Sequence, residues 1–96
     1  MTEAITDTTL IERNPLILFN DFDDGLMMMN IDSGHYFDVD QVGGRIWALI
    51  ETPMTVEQIC ESLVREFDVA PEQCRSETME FVGELAAKSL VTLKSA

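Results

Sequence analysis

The stretch DVDQVGGRIWALIETPMTVEQICESLVREF, from Asp38 to Phe67, contains two adjacent glycines, the single tryptophan and the signals for two helices. Its first half repeats apolar residues at the i, i+4, i+7 and i+8 spacing that places them on one face of a helix. Asp40 can cap that helix, and Pro53 ends it. Thr55 is followed three residues later by Gln58, a capping-box pattern that predicts the start of a second helix.

The glycine pair Gly43 and Gly44 has two readings, a phosphate-binding loop or a site of close packing. A phosphate loop needs a GxxxxGK[ST] or GxGxxG pattern between a strand and a helix, and here no lysine follows the glycines. We therefore expect the pair to let the first helix pack closely against a sheet. Trp47, one turn further on, is expected to anchor that helix in the core.

Three short apolar segments precede this stretch and suit β-strands: LILFNDF, LMMMNI and HYFDV, at Leu16–Phe22, Leu26–Ile31 and His35–Val39. The turns between them are rich in Asp, Ser and Gly, and turns of about three residues join antiparallel neighbours. In the middle strand, alternation places Met27 and Met29 on one face and Met28 on the other. At least one of these faces is expected in the core, and the methionine run is otherwise compatible with an adaptable binding surface.

The order of elements indicates an α+β fold. A third helix is predicted from Pro71, which suits the first helical turn, with Asp68 or an adjacent residue as its cap. Strands followed by helices, without βαβ alternation, predict a three-stranded antiparallel meander packed on three helices. Residues 1–14 are expected to form a flexible N-terminal arm and residues 15–96 a single domain, with an apolar tail near residue 91 that is compatible with a short strand.

The composition excludes several classes of function. The 96-residue chain has 18 acidic and 6 basic residues, so its net charge is −12. This field repels nucleic acid and favours a basic peptide or a basic patch on a partner protein. No apolar run reaches the roughly 18–20 residues of a membrane span, and no signal-peptide pattern begins the chain, so we expect a cytoplasmic protein that does not bind membranes.

The chain also lacks the residues of a metal centre or a catalytic site. Cys60 and Cys74 fall at apolar helical positions and are expected to be reduced core thiols. His35 is the only histidine, so neither a metal site nor a cofactor is expected. Because no nucleophile has a plausible base beside it in the sequence, we do not expect an enzyme.

Gly83 lies in the middle of the predicted third helix, where glycine costs about 1 kcal/mol relative to alanine. Met79 and Ala87 share its face, and Ala86 lies alongside. Small residues on a helix permit close approach by another chain segment. That segment is either a ligand or a part of this protein's own sheet or helices.

Three segments carry a resemblance to a known family: VDQVGGRIWALI, TVEQICESLVREFDV and FVGELAAKSLV. Together they resemble the PQQ-biosynthesis protein D family over about Tyr36 to Leu93. Val42 stands where many members have Thr, and Ser89 stands where a late glycine usually sits. The Gly-Gly-Arg-Ile-Trp motif and Cys74 more closely resemble those of the stand-alone members found in lasso-peptide gene clusters.

The resemblance implies a winged-helix-like fold and a non-catalytic role as a recognition element for ribosomally made, post-translationally modified peptides. Such proteins hold the leader segment of a precursor peptide and present it to modifying enzymes, which in lasso systems are a leader peptidase and a cyclase. The leader is expected to add as a strand to the edge of the third strand and to pack against the third helix. The expected peptide-binding residues are His35, Tyr36, Phe37, Asp38 and Val39 on the strand, and Arg75, Thr78, Met79, Val82, Gly83 and Ala86 on the helix.

Two other functions are distinguishable from this one. A member of the PQQ pathway would deliver its peptide to a radical SAM enzyme instead of to lasso enzymes. A winged-helix DNA-binding protein would need a basic recognition helix. The second helix instead carries Glu57, Glu61 and Glu66 against a single Arg65.

Overall fold

Two small antiparallel sheets and three helices make up the fold of residues 5–23 and 25–94, the parts of the chain that the computed structural model describes. The α+β class is therefore confirmed. In chain order the elements are β1 (Leu10–Arg13), β2 (Ile17–Phe22), β3 (Gly25–Asn30), β4 (Tyr36–Asp40), α1 (Gln41–Leu49), β5 (Met54–Thr55), α2 (Val56–Glu66), α3 (Pro71–Ala87) and β6 (Val91–Lys94).

The predicted meander is the sheet β2-β3-β4, and its three strands agree with the sequence prediction to within one residue at each end. The turn between β2 and β3 needs Gly25, which has a φ of +155°. A side chain at this position would collide with the carbonyl oxygen of Val39 on β4. Asn30 orders the next turn, because its Oδ1 accepts hydrogen bonds from the backbone N–H groups of Asp32 and Ser33.

The second sheet, in the order β5-β1-β6, corrects one prediction. Residues 10–13 were expected to belong to a loose arm, but they form β1, which pairs with β5 on one side and with β6 on the other. Ile11 at its centre is fully buried. Both partner strands lie far along the chain, so no local pattern marks such a short segment as a strand. Strand β6 confirms that the apolar tail near residue 91 is extended.

Helix α1 begins as predicted, because the Asp40 carboxylate accepts a hydrogen bond of 2.8 Å from the backbone N–H of Gly43. Trp47 is 2% exposed and confirms its role as a core anchor. The Arg13 guanidinium lies 4.7 Å from the centre of the Trp47 ring and donates hydrogen bonds to the Trp47 carbonyl. Val42, which shares the predicted inward face, is 41% exposed.

Helices α2 and α3 differ in how they begin. Thr55 and Gln58 form the predicted capping box at the start of α2. Pro71 occupies the first turn of α3 as predicted, but the cap residue is Ala70, which makes no side-chain hydrogen bond, so Asp68 is not the cap. The end of α3 is followed by Ser89 with a φ of 60°. This left-handed conformation favours glycine, which agrees with the glycine that the related family usually has at this position.

The core lies between the two sheets and the three helices. Its buried apolar side chains include Met28 from β3, Ile59 from α2 and Leu85 from α3. Cys74 is buried and Cys60 half-buried, and both are free thiols. Burial raises the pKa of the Cys60 thiol. Arg45 on α1 forms a two-point ion pair with Glu66 at the end of α2, with N–O distances of 2.7 and 3.0 Å.

Candidate functional site: the open strand β4 and helix α3

Strand β4 is an edge of its sheet, and the register shows which of its backbone groups are free. The backbone N–H of Asn30 donates to the carbonyl of His35, and the two residues are in register with the β3–β4 ladder. Hydrogen-bonded and non-hydrogen-bonded pairs alternate in antiparallel strands, so Phe37 and Val39 also bond to β3. The N–H and C=O groups of Tyr36 and Asp38 therefore point away from β3, toward the open edge.

The side chains of β4 also alternate, between the core and solvent. Phe37 and Val39 are half-buried and pack against the core, whereas Tyr36 and Asp38 are exposed. Tyr36 is 68% exposed, the largest value among the large apolar and aromatic side chains of the described residues. An incoming strand would therefore pair with the main chain of Tyr36 and Asp38. It would have the Phe37 and Val39 side chains on its core-facing side.

Helix α3 runs beside β4 in the opposite direction. Near its middle, the Phe81 ring borders the space above Gly43, and the Val39 side chain borders the same space from β4. A Cβ atom built on Gly43 would lie 2.9 Å from Phe81 Cζ and 3.0 Å from Val39 Cβ. At its end, the Lys88 ammonium lies 5.4 Å from the centre of the Phe37 ring. Gly43 is thus where α1, β4 and α3 meet, and the expected close packing is confirmed.

Two cavities border α3, one at each end of β4, and we call them together the β4–α3 groove. The first lies between α1, α2 and α3 and reaches β4 only at Asp40, whereas the second is bordered by the start of β4 and the end of α3. The first has a volume of about 410 Å³ and an apolar lining that includes Val42, Phe67 and Phe81. Its rim carries four carboxylates, from Asp40, Glu77, Glu80 and Glu84.

The second cavity has a volume of about 430 Å³ and lies at the other end of the groove, where Lys88 and His35 are among its lining residues. Only the first cavity has an acidic rim. The groove is therefore negative at the end of β4 and contains its one described lysine at the start of β4. A bound peptide would meet different charges at its two ends.

The structure brings together some of the sequence-predicted site residues and separates others. His35, Tyr36 and Phe37 line the second cavity, and the buried Thr78 lines the first. Val82 is fully buried in the core. Arg75 is paired with Asp7 of the N-terminal segment instead of facing β4.

The small-residue face of α3 lies on the flank away from β4. A Cβ atom on Gly83 would contact Ile5 Cδ1 at 3.6 Å. At 100° per residue, Gly83 lies about 160° around the helix from Phe81, and Met79 and Ala86 lie within about 20° of that angle or its equivalent. All three therefore share the flank away from β4. Of the two readings of the strip, the structure supports close approach by this protein's own chain. Contact of Met79, Gly83 and Ala86 with a peptide stays a prediction.

The sequence-predicted set of peptide-binding residues does not include Phe81, Glu84 and Lys88, which line the groove on α3. The acidic face of Glu77, Glu80 and Glu84 was expected from the sequence to attract either a basic leader or a basic enzyme. The signal for this face is present in the sequence. Glu77, Glu80 and Glu84 recur at helical spacing, next to the buried stripe of α3, and no basic residue accompanies them until Lys88. The structure adds an indication that the sequence did not give, since Val42 is exposed beside this acidic rim and an exposed apolar side chain at a cavity mouth contributes to a binding surface.

Within residues 5–23 and 25–94, no group of three or more His, Cys, Asp or Glu side chains is placed to hold a metal ion. Over the same residues, no helix is both long enough and apolar enough to cross a membrane. His35 and Cys74 line different cavities of the groove, so the structure does not pair the histidine with this thiol.

Comparison with known proteins assigns the chain to a family. The sequence model described as "Coenzyme PQQ synthesis protein D (PqqD)" matches residues 25–91. The chain belongs to the PqqD family. The match includes β3, β4 and all three helices, and therefore both walls of the groove. No curated protein matches the chain significantly.

Solved structures share the fold. TbiB1 in complex with the TbiA(beta) leader peptide is 28% identical, with a TM-score of 0.77, over 83% of this chain and 93% of that one. A lasso peptide synthetase B1 complexed with its leader peptide is 17% identical, with a TM-score of 0.73, over 85% and 96% of the two chains. The PqqD truncation of Methylobacterium extorquens PqqCD, described as a stand-alone RiPP recognition element, is 16% identical, with a TM-score of 0.78, over 93% and 95%.

Proposed function

We propose that this chain binds the leader segment of a ribosomally made precursor peptide by adding it as a strand to β4. The observation that carries this proposal is the free backbone edge of Tyr36 and Asp38, which has a cavity bordering α3 at each end of its strand. The fold supports it, because two of the structures that share this fold hold leader peptides. Strand addition gives affinity through main-chain hydrogen bonds and specificity through pockets for alternate side chains.

The alternation of β4 side chains between core and solvent determines which leader side chains would enter the groove. Alternate leader residues would point into the groove, toward Phe81 and Val42, where the apolar lining can bury an aliphatic or aromatic side chain. The carboxylates of Glu77, Glu80 and Glu84 at the same cavity favour a leader that carries a basic residue there. We therefore propose a leader with an apolar anchor and a neighbouring lysine or arginine.

The chain would act by binding alone and would present the leader to a leader peptidase and a cyclase of a lasso-peptide pathway. The separation of His35 and Cys74 into different cavities supports a non-catalytic role, because a thiol nucleophile needs a base within hydrogen-bond reach. The proposed place of action is the cytoplasm, where ribosomes make precursor peptides.

Amide hydrogen exchange, measured by NMR with and without the synthetic leader of a candidate precursor peptide, tests the proposal. The amides of Tyr36 and Asp38 should exchange rapidly in the free protein and become protected when the leader binds. The Phe37 and Val39 amides, which bond to β3, should be protected in both states.

The other edge of the sheet supplies the control. In β2, the register places the Phe19 and Asp21 backbone groups on the free edge. Their exchange should not change with the leader. Protection of Phe19 and Asp21 without protection of Tyr36 and Asp38 would move the site to β2, and no change at either edge would refute strand addition.

A further inference from the structure

The sheet β2-β3-β4 has a second face, opposite the one that packs on α1. That face is largely apolar, with Asn20 and Asp38 as polar residues by register and alternation. Residues directly opposite one another in antiparallel strands share a face. Leu18 pairs with Met29, and Met29 pairs with Tyr36, so these three side chains form a row across the whole sheet. The row continues at Leu16 and Ile31, which are joined by a backbone hydrogen bond of 3.3 Å. Phe22 follows Leu18 on the same face by alternation.

About half or more of the surface of several of these apolar side chains is exposed to solvent. Leu18 is 54% exposed, Phe22 58% and Ile31 51%. Contiguous apolar surface of this kind marks an interaction site, whereas single exposed apolar residues do not. Phe19, on the other face of β2, instead packs edge-on against Trp47 at a centroid distance of 5.8 Å. The exposed row is therefore on the face of the sheet that does not pack against the core. We call Leu16, Leu18, Phe22, Met29, Ile31 and Tyr36 the outer sheet face.

The charges around the outer sheet face indicate what covers it. From Ile17 to Asp40 the sequence contains no lysine and no arginine, and it contains aspartate at positions 21, 23, 32, 38 and 40. A second copy of this chain on the face would bring aspartates against aspartates, which disfavours self-association. A partner with an apolar patch and a rim of lysine and arginine would complement both features.

The outer sheet face is continuous with the proposed leader site. Tyr36 ends the Leu18–Met29–Tyr36 row at the β4 edge, so a leader strand added there would contribute the next side chain of the row. A protein docked on this face would contact the domain and the bound leader together.

We propose that the outer sheet face is the docking surface for a modifying enzyme that presents an apolar patch rimmed by basic residues. This proposal rests on the proposed function, since it assigns the surface through which the leader is handed on.

The test uses the purified leader peptidase of the proposed lasso-peptide pathway as the probe, with binding measured by calorimetry in the presence of leader. Leu18→Glu places a charge on the β2 side of the outer sheet face, two strands away from the leader edge. We expect it to weaken peptidase binding at least tenfold while leader affinity stays within about twofold. Ser76→Glu, at an exposed position on α3, adds the same charge elsewhere and should change neither affinity.

Three outcomes would overturn the proposal: wild-type affinity for the peptidase in Leu18→Glu, no peptidase binding by the wild-type chain, or a dimer in sedimentation experiments that Leu18→Glu dissociates. Failure of the proposed function looks different. In that case neither the wild type nor Leu18→Glu binds the leader. A loss of peptidase binding that is specific to Leu18→Glu would still support the docking face.

Discussion

Gly43→Ala tests whether the groove depends on a close three-way contact. A Cβ atom at Gly43 would lie 2.9 Å from Phe81 Cζ and 3.0 Å from Val39 Cβ, so the Phe81 ring or α1 itself must move. Overpacking of this kind costs about 1–3 kcal/mol, and the better helix propensity of alanine returns up to about 1 kcal/mol. We expect the variant to be destabilised by up to about 2 kcal/mol, measured as a lower urea midpoint at unchanged slope.

Gly44→Ala is the matched control, because it changes the next residue of the same helix turn. A Cβ atom on Gly44 would meet Leu26 Cβ at 3.5 Å, which is an ordinary contact. This variant should therefore be stabilised by about 0.5–1 kcal/mol through helix propensity alone. If Gly43→Ala were stabilised as much as Gly44→Ala, the close contact among Gly43, Phe81 and Val39 would be refuted.

A double-mutant cycle assigns the cost to its source. In a Phe81→Ala background the ring that meets the new methyl group is gone, so the penalty of Gly43→Ala should shrink. An unchanged penalty would place the strain at Val39 instead. Gly43→Ala should also weaken leader binding, because a displaced Phe81 ring moves at the wall of the β4–α3 groove.

Three further variants test separate features. Ser89→Gly should stabilise the domain by about 1 kcal/mol in urea unfolding, since Ser89 has a left-handed backbone; a loss of stability would contradict this. Gly83→Ala should stabilise α3 by a similar amount and keep leader affinity within about twofold, and a tenfold loss would return the binding wall to the Gly83 flank. Hydrogen bonding to Arg45 lowers the pKa of Glu66, so Glu66→Gln should lower the urea midpoint at pH 7. That difference should disappear as the pH falls through the lowered pKa, and a difference that persists at pH 2 would exclude this ion pair as its source.

The parts of the fold that the sequence predicted are those with local causes. Asp40, Thr55 and Pro71 begin their helices through hydrogen bonds or backbone restrictions that involve residues within a few positions. The meander strands are bounded by turn residues and have apolar alternation. Each of these signals involves residues within a few positions of one another, so it can be recognised in the sequence without knowing the tertiary structure.

Features that depend on distant parts of the chain could not be predicted in this way. Strand β1 exists because β5 and β6 flank it, and both come from the second half of the chain. The neighbour of the small-residue flank of α3 could not be identified for a similar reason. The small residues around Gly83 indicated a close neighbour, but that neighbour is Ile5 at the start of the described chain. A glycine in a helix indicates that another segment packs closely against it, but it does not identify that segment.

The two edges of the β2-β3-β4 sheet show how a strand can stay open without pairing with another copy of the chain. An unpaired edge is a template for self-association, and natural sheets counter this with charged edge residues. Strand β4 carries Asp38 and β2 carries Asp21, so pairing between two copies would set aspartates close together. A peptide with a lysine or arginine opposite Asp38 would gain from the same charge. The acidity that keeps the edge free of other copies thus selects a basic strand as its partner.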